Sequence, residues 1–230
     1  MLRPGGFDII KAAIDNSGLK KGDTLLDVGC GYGDTINYLT DEYGLKCTGI
    51  DMNLRFVEEG SKKYPDLDIR FGDGEFLDEF SSNSFDAVNM ECVLSLINVP
   101  DEALHEAWCV LKKGGKLILS DLFHINPDRK YMEAVKIESL RQAQMKHEEG
   151  DCEDRPPRQT DFLHGGKFFM GPLADQIEKL GFQITWFEDR TDDLTQYMAD
   201  VILDGEEDSI ICNVKDKKNT GYFVMIAEKL

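Results

Sequence analysis

The sequence predicts an α/β fold in which helices cover both faces of a mostly parallel sheet, giving three layers. Short apolar runs alternate with stretches of helical periodicity through the first half of the chain, as parallel βαβ units require. Glycine or proline follows most of these segments and marks where they end. Strand–helix–strand units at this cadence connect in a right-handed sense, so the strands they join run parallel.

Each element of the first half follows from a local pattern. Phe7, Ile10 and Ile14 lie at helical spacing and predict a helix that Gly18 ends. The segment 24–28 (TLLDV) is a short apolar run leading into glycines, which is typical of a buried parallel strand. The other predicted elements are a helix from Asp34 to Gly44, a strand at 46–50, a helix at 54–64 capped by Asn53, strands at 67–71 and 85–90, a helix at 100–111 and a strand at 116–120.

The second half is less regular. It predicts a helix at 128–149, a loop at 150–171, a helix at 172–180, a strand at 183–187, a helix at 194–203, a loop at 204–220 and a strand at 222–227. No stretch has the composition of an interdomain linker, so we expect residues 1–230 to form a single domain.

Composition excludes several classes of partner. Lys and Arg total 26 against 44 Asp and Glu, a formal net charge of -18, which disfavours nucleic acid and anionic lipid and favours cationic small molecules. No apolar run reaches the length of about 18 residues that a membrane span needs, and the N-terminus lacks the pattern of a signal peptide. The six cysteines include no CxxC pair. We therefore expect a reduced, cytoplasmic protein without a metal site.

The most informative segment is a glycine loop after the first strand. Gly29, Gly31 and Gly33 follow a buried strand and precede a helix, so the backbone can approach a ligand at the carboxyl edge of the sheet. The dinucleotide fingerprint needs GxGxxG, but its third glycine position holds Asp34 here, and Asp27 precedes the loop. Carboxylates beside a pyrophosphate would repel it, by roughly 4 kcal/mol per charge pair at about 4 Å.

Three more acids end successive strands. Asp51 follows the second strand and can accept hydrogen bonds from both hydroxyls of a ribose. Asp73 follows the third and can accept one from an adenine amino group, and Glu91 ends the fourth. Asp51 alone fits a nicotinamide dinucleotide as well as other adenosine ligands. With Asp27, these acids line one edge of the predicted sheet.

Together these segments resemble the successive motifs of the class I S-adenosylmethionine-dependent methyltransferases, and among them the small-molecule enzymes of the methyltransferase type 11 and 25 groups. The matching segments, over about residues 22–124, are LLDVGCGYG, GID, FGDGEFL, SFDAVNMECVLSLI and LKKGGKLILSDLF. The resemblance implies a Rossmann-like sheet of seven strands with the last antiparallel. It also implies a cofactor-binding core at about 18–124, with substrate-side segments at about 1–17 and 125–220.

The resemblance further implies S-adenosyl-L-methionine as cofactor, with S-adenosyl-L-homocysteine as product, and in-line transfer of a methyl group to a small molecule. The implied cofactor-binding residues, with Arg3 added as a partner for the cofactor's carboxylate, are Arg3, Asp27, Gly29, Cys30, Gly31, Asp51, Met52, Asp73, Gly74, Glu75 and Glu91. Cys30 would offer its backbone, and Met52 would pack on adenine. Many family members have alanine where this chain has Gly74.

His124 and His164 are the candidate catalytic residues, because they lie on the substrate side and a proton acceptor is needed when the nucleophile must lose a proton. Two alternatives stay open at this point. One is an NAD(P)-dependent oxidoreductase, and the other is a non-catalytic sensor that binds S-adenosylmethionine. Either a monomer or a homodimer is compatible with the sequence.

Overall fold

The computed structural model describes residues 3–146, 160–204 and 217–230. Its strands are β1 (Thr24–Val28), β2 (Lys46–Asp51), β3 (Asp68–Phe71), β4 (Phe85–Glu91), β5 (Leu111–His124), β6 (Leu163–His164), β7 (Lys167–Phe168), β8 (Phe182–Asp189) and β9 (Thr220–Lys229). Its helices are α1 (Phe7–Ser17), α2 (Asp34–Tyr43), α3 (Leu54–Lys63), α4 (Pro100–Val110), α5 (Arg129–Lys146), α6 (Met170–Lys179) and α7 (Thr191–Asp204). Within these residues, no helix combines the length and apolar composition that crossing a bilayer demands.

The seven long strands form one sheet in the order β3-β2-β1-β4-β5-β9-β8. Strands β1 to β5 pair in parallel, whereas β9 runs antiparallel to both β5 and β8. The mostly parallel, Rossmann-like sheet with an antiparallel last strand is therefore confirmed. The chain leaves β1 towards β2 and β3 and later returns to β4 on the opposite side. Open α/β sheets bind ligands at this kind of reversal, outside the carboxyl ends of the strands.

Alternate side chains of each strand pack on opposite layers of helices. On β1, Leu25 packs with Ile10 of α1 and Leu39 of α2, whereas its neighbour Leu26 packs with Leu104 of α4. Both leucines are fully buried. Because a strand presents successive side chains to opposite faces, a strand that is apolar at both positions needs helices on both sides. The three-layer arrangement follows directly from this pattern.

Several predictions for the second half are wrong in part. Part of the predicted loop at 150–171 is a short hairpin of β6 and β7, which turns at Gly165 and Gly166 in left-handed conformations. Strand β7 pairs with β5 at Phe123, past the last β4 pairing at Ser120, so the hairpin extends the sheet where β4 has ended. Helix α6 also begins at Met170 rather than 172, and α7 begins at Thr191 rather than 194. Residues 147–149 of the predicted helix at 128–149, 150–159 of the predicted loop at 150–171 and 205–216 of the predicted loop at 204–220 lie outside the described part of the chain.

Candidate functional site

A cavity of about 450 Å³ opens where β1, β2 and β4 end. Each of the eleven residues that the sequence assigns to the cofactor contributes to its wall. They are Arg3, Asp27, Gly29, Cys30, Gly31, Asp51, Met52, Asp73, Gly74, Glu75 and Glu91. Among the described residues lining this cavity, six carry carboxylates and one carries a guanidinium. The wall therefore has more acidic than basic side chains and suits a ligand with positive charge.

The glycine loop is locked to the neighbouring strand by its own backbone. The N–H groups of Gly29 and Cys30 both donate to the carbonyl of Ile50, at 2.8 and 3.0 Å. The carbonyl of Cys30 accepts from the N–H of Gly33 at 2.9 Å. The N–H of Cys30 already donates to Ile50, so of its backbone groups only the carbonyl, through its second lone pair, can hydrogen-bond to a ligand. The sequence led us to expect that the whole backbone of Cys30 was open to the cofactor.

Two glycines of this loop differ in how much space surrounds them. Gly29 and Gly31 both have a positive φ, at 76° and 56°. A Cβ on Gly29 would lie 2.5 Å from Cγ2 of Val93, whereas one on Gly31 would meet nothing within 4 Å. Gly29 is therefore required both by conformation and by contact, and Gly31 by conformation alone.

We expect Gly29→Ala to lower the free energy of unfolding by roughly 1–3 kcal/mol more than Gly31→Ala does. Both variants place a side chain on a strained left-handed backbone, but only Gly29→Ala also introduces a steric clash with Val93. Urea unfolding of the two purified variants beside the wild type measures the difference. Equal losses would contradict the packing argument.

Asp51 is oriented by two backbone groups at the end of β2. Its Oδ2 accepts from the N–H of Gly31 and its Oδ1 from the N–H of Asn53, each at 2.8 Å. Each carboxylate oxygen keeps lone-pair capacity for one further donor. The carboxylate is thus fixed in a geometry that can accept both hydroxyls of a diol. Met52 follows with 59% of its surface exposed at the rim of the cavity.

The turn after β3 is tied to the start of α4. Asp73 Oδ1 accepts from the N–H of Glu75 at 2.9 Å, and Glu75 Oε1 accepts from the N–H of Val99 at 3.0 Å. Glu75 therefore has a structural task as well as a place in the cavity wall. A Cβ on Gly74 would lie 2.6 Å from Cγ1 of Val28, so alanine at this position would require the Val28 side chain to shift.

Glu91 is an enclosed carboxylate at the end of β4. Its side chain is 6% exposed, and its Oε1 lies 2.9 Å from Nε of Arg3. The Nε–H of Arg3 donates instead to the carbonyl of Gly6 at 3.3 Å, so the contact with Glu91 is an ion pair without a hydrogen bond. Oε2 accepts from the Thr35 hydroxyl at 3.3 Å. Among the described residues Oε1 has no hydrogen-bond donor, and Glu91 is one of the residues that line the cavity. A cationic donor in the cavity would satisfy it.

Asp27 is buried beside Glu91. Its Oδ1 accepts from Nδ2 of Asn89 at 2.7 Å. Burial raises the pKa of Asp27 to about 7, the negative charge of Glu91 adds to the rise, and the Asn89 hydrogen bond opposes it. The charge on this side of the cavity therefore changes close to neutral pH.

The raised pKa of Asp27 makes stability depend on pH with a definite sign. Between about pH 4 and pH 7 the folded state binds a proton at Asp27 that the unfolded state has released, so stability falls as pH rises through this window. Asparagine does not titrate, so we expect the free energy of unfolding of Asp27→Asn to rise relative to that of the wild type as the pH increases from about 4 to about 7. The rise should reach up to roughly 4 kcal/mol. Urea unfolding at several pH values measures the gap, and a gap that does not change with pH would contradict the assignment.

The structure changes the interpretation of Asp34. This residue lines the cavity at the start of α2, but its Oδ1 lies 2.6 Å from Nζ of Lys63 and also accepts from the Tyr64 hydroxyl. Burial alone would raise the pKa of Asp34, but these two partners outweigh it and the pKa is lowered. Since Lys63 offsets its charge, exclusion of a pyrophosphate depends more on the other carboxylates of the wall, such as Asp51.

The two predicted histidines lie together but do not line the cavity described above. His124 ends β5, and its Nε2 is 3.3 Å from the carbonyl oxygen of His164 in the β6–β7 hairpin. The His124 ring stacks on Phe169 with centroids 4.6 Å apart. The Tyr131 ring meets His164 edge-on at 5.0 Å. These rings form an aromatic cluster beyond the carboxyl end of β5.

Sequence reasoning missed half of the cavity wall. The residues it did not assign are Val28, Tyr32, Asp34, Thr35, Phe56, Gly72, Cys92, Val93, Leu96, Ile97 and Asn98. Tyr32 packs on Phe56 with ring centroids 4.6 Å apart, a contact between α3 and the glycine loop that no spacing reveals. Cys92 has a φ of 54°, which is unusual for a residue with a side chain, and the sequence carries no sign of it.

Comparison with known proteins agrees with this geometry. A family model described as a methyltransferase domain matches residues 26–119. The demethylmenaquinone methyltransferase of Renibacterium salmoninarum is 35% identical over 114 residues, which is 50% of this chain and 47% of that protein. The chain thus matches less than half the length of that relative.

Solved structures extend the likeness in fold. Phosphoethanolamine N-methyltransferase 2 of Haemonchus contortus, in complex with phosphomonomethylethanolamine and S-adenosylhomocysteine, has a TM-score of 0.68 at 18% identity, covering 100% of this chain and 54% of that chain. The [4+2]-cyclase SpnF has a TM-score of 0.66 at 19% identity, covering 96% and 80%. Residues 26–119 therefore match a methyltransferase domain, and the chain shares the Rossmann-like fold of these solved structures.

Proposed function

We propose that the chain is an S-adenosylmethionine-dependent methyltransferase that acts on a small molecule. The observation that carries the proposal is the charge of the cavity wall, in which six carboxylates and a single guanidinium surround a glycine loop. That wall suits a nucleoside bearing an ammonium group and a positive sulfur and disfavours a pyrophosphate. Relatives named as methyltransferases, such as the demethylmenaquinone enzyme, support the same reaction type.

The residues of the cavity fit this cofactor from end to end. Asp51 accepts the two ribose hydroxyls on the oxygens that Gly31 and Asn53 orient. Asp73 accepts the adenine amino group, and Met52 covers the ring. Glu91 accepts the ammonium group on Oε1, which has no hydrogen-bond donor among the described residues, while Arg3 holds the cofactor's carboxylate. When bound, the cofactor supplies a methyl group on a cationic sulfur, a good leaving group for in-line displacement.

The acceptor enters from the substrate-side segments, at about 1–17 and 125–220. Tyr131 is 40% exposed at the edge of the aromatic cluster that it forms with His124, His164 and Phe169, and it supports this side because flat or cationic acceptors pack well on such a ring. His124 and His164 are the groups proposed to hold or move the acceptor's proton. The protein's main task is to align the acceptor with the methyl group and exclude water.

Incubation with methyl-labelled S-adenosylmethionine and fractionated small-molecule extract tests the proposal. We expect label to appear in a small-molecule product with the wild type and to fall to background with Asp51→Ala at the same concentration. If no fraction accepts label from the wild type although S-adenosylhomocysteine binds it, a cofactor-binding protein without transferase activity would replace the proposal.

A further inference from the structure

Three side chains on α4, away from the cofactor cavity, bring together a nitrogen, an oxygen and a sulfur. His105 and Cys109 are four residues apart and so share one face of the helix. The Sγ of Cys109 lies 3.9 and 3.8 Å from the Nδ1 and Nε2 atoms of His105. The Oε1 of Glu106 lies 3.8 Å from Nδ1 of His105. One ligand atom from each residue lies within 4.8 Å of the other two.

These separations are near those of a metal centre. Tetrahedral Zn²⁺ with one sulfur, one nitrogen and one oxygen ligand places its ligand atoms about 3.3–3.6 Å apart. Small side-chain rotations would close the observed distances to that range. A thiolate and a carboxylate together supply two negative charges, which balance a dication, and the net charge of -18 favours its approach.

The cluster is partly held in place by its surroundings. Glu106 Oε2 accepts from the N–H of Leu77 at 2.9 Å, which leaves Oε1 directed to the side of His105. The carbonyl of Cys109 accepts from the N–H of Asn83 at 3.0 Å, which fixes the end of α4. Outer hydrogen bonds of this kind orient ligands in metal sites. His105, with 52% of its side chain exposed, leaves a way in from solvent.

We propose that His105, Glu106 and Cys109 form a binding site for a thiophilic divalent cation such as Zn²⁺. The cation takes three protein ligands and keeps one position for water. This departs from the expectation of no metal site, which rested on the lack of a CxxC pair. A His-x₃-Cys spacing on one helix, with the glutamate between them, is a different ligand pattern that becomes visible once α4 is in place.

Cadmium titration of the reduced full-length chain, followed by the thiolate-to-cadmium absorbance band, tests the site without any cofactor. We expect one Cd²⁺ per chain, displaced by Zn²⁺, with affinity at least tenfold weaker in Cys109→Ser and in His105→Ala. Glu106→Gln should also weaken binding while keeping the acceptor for Leu77. The matched control is the Cys152→Ser/Cys212→Ser double variant, which removes two other thiols and should bind as the wild type does.

A second readout separates binding from damage to the fold. Zn²⁺ should raise the unfolding temperature of the wild type and of the double variant, but not that of Cys109→Ser, because only a ligand of the folded state stabilises it. Absence of the band in the wild type would overturn the proposal. So would a band that persists unchanged in Cys109→Ser or disappears in the Cys152→Ser/Cys212→Ser variant.

Discussion

Replacing Asp51 with alanine should weaken binding of S-adenosylhomocysteine at least about a hundredfold. In the proposed binding mode, the variant loses the two hydrogen bonds from the ribose hydroxyls to a charged acceptor, each worth about 1.5–3 kcal/mol. It also leaves the N–H groups of Gly31 and Asn53 without the carboxylate that now fixes them, so the glycine loop is less preorganised. Isothermal titration calorimetry with the purified variant measures the loss.

Asp51→Asn is the matched control, because it keeps one carbonyl acceptor and a similar shape while removing the charge. The affinity of Asp51→Asn for S-adenosylhomocysteine should lie between those of the wild type and Asp51→Ala. Asp51→Ala should lose affinity for 5′-methylthioadenosine by the same factor, because that nucleoside has the ribose but lacks the amino-acid end. An Asp51→Ala protein that stays folded and binds both nucleosides as the wild type does would show that Asp51 is not the ribose acceptor.

Replacing Glu91 with glutamine should weaken binding of S-adenosylhomocysteine about ten- to a hundredfold. The change keeps the shape of the side chain but removes the enclosed negative charge that lies 2.9 Å from Arg3 and that has an oxygen in need of a donor. Burial raises the pKa of Glu91, and Arg3 counteracts this by favouring the charged form. Without the charge, the ammonium group of the ligand keeps at most a neutral carbonyl acceptor.

The choice of ligand makes this prediction specific. Binding of 5′-methylthioadenosine should be unchanged in Glu91→Gln, because that nucleoside has no ammonium group. Glu79→Gln removes the same charge from a carboxylate that pairs with Arg70 outside the cavity, and both ligands should bind it as they bind the wild type. Equal losses for the two ligands in Glu91→Gln would mean that Glu91 supports the fold of the cavity rather than the methionine end.

Much of the cofactor side could be predicted because its signals are local. A short apolar run, a glycine loop and an acid at the strand end follow one another within a few residues, and parallel pairing brings such strand ends to one edge. The location of Asp27, Asp51 and Glu91 in one cavity could therefore be predicted without knowledge of long-range contacts.

What the sequence did not reveal depends on contacts between distant segments. The β6–β7 hairpin joins the sheet where Phe168 pairs with Phe123, and no sequence pattern around either residue predicts that pairing. The bond from Val99 to Glu75 likewise joins α4 to the turn after β3 only in the folded chain. The metal-ligand cluster on α4 became visible only when helical geometry placed His105 beside Cys109.

The central claim is that the carboxylate-lined cavity takes a cationic sulfur nucleoside rather than a dinucleotide. Calorimetric titration of the pure chain with S-adenosylmethionine and, separately, with NADH tests it most directly. We predict one site for S-adenosylmethionine whose affinity Asp51→Ala lowers at least about a hundredfold, and no heat of binding with NADH. Saturable binding of NADH at this site, together with no binding of S-adenosylmethionine, would contradict the account.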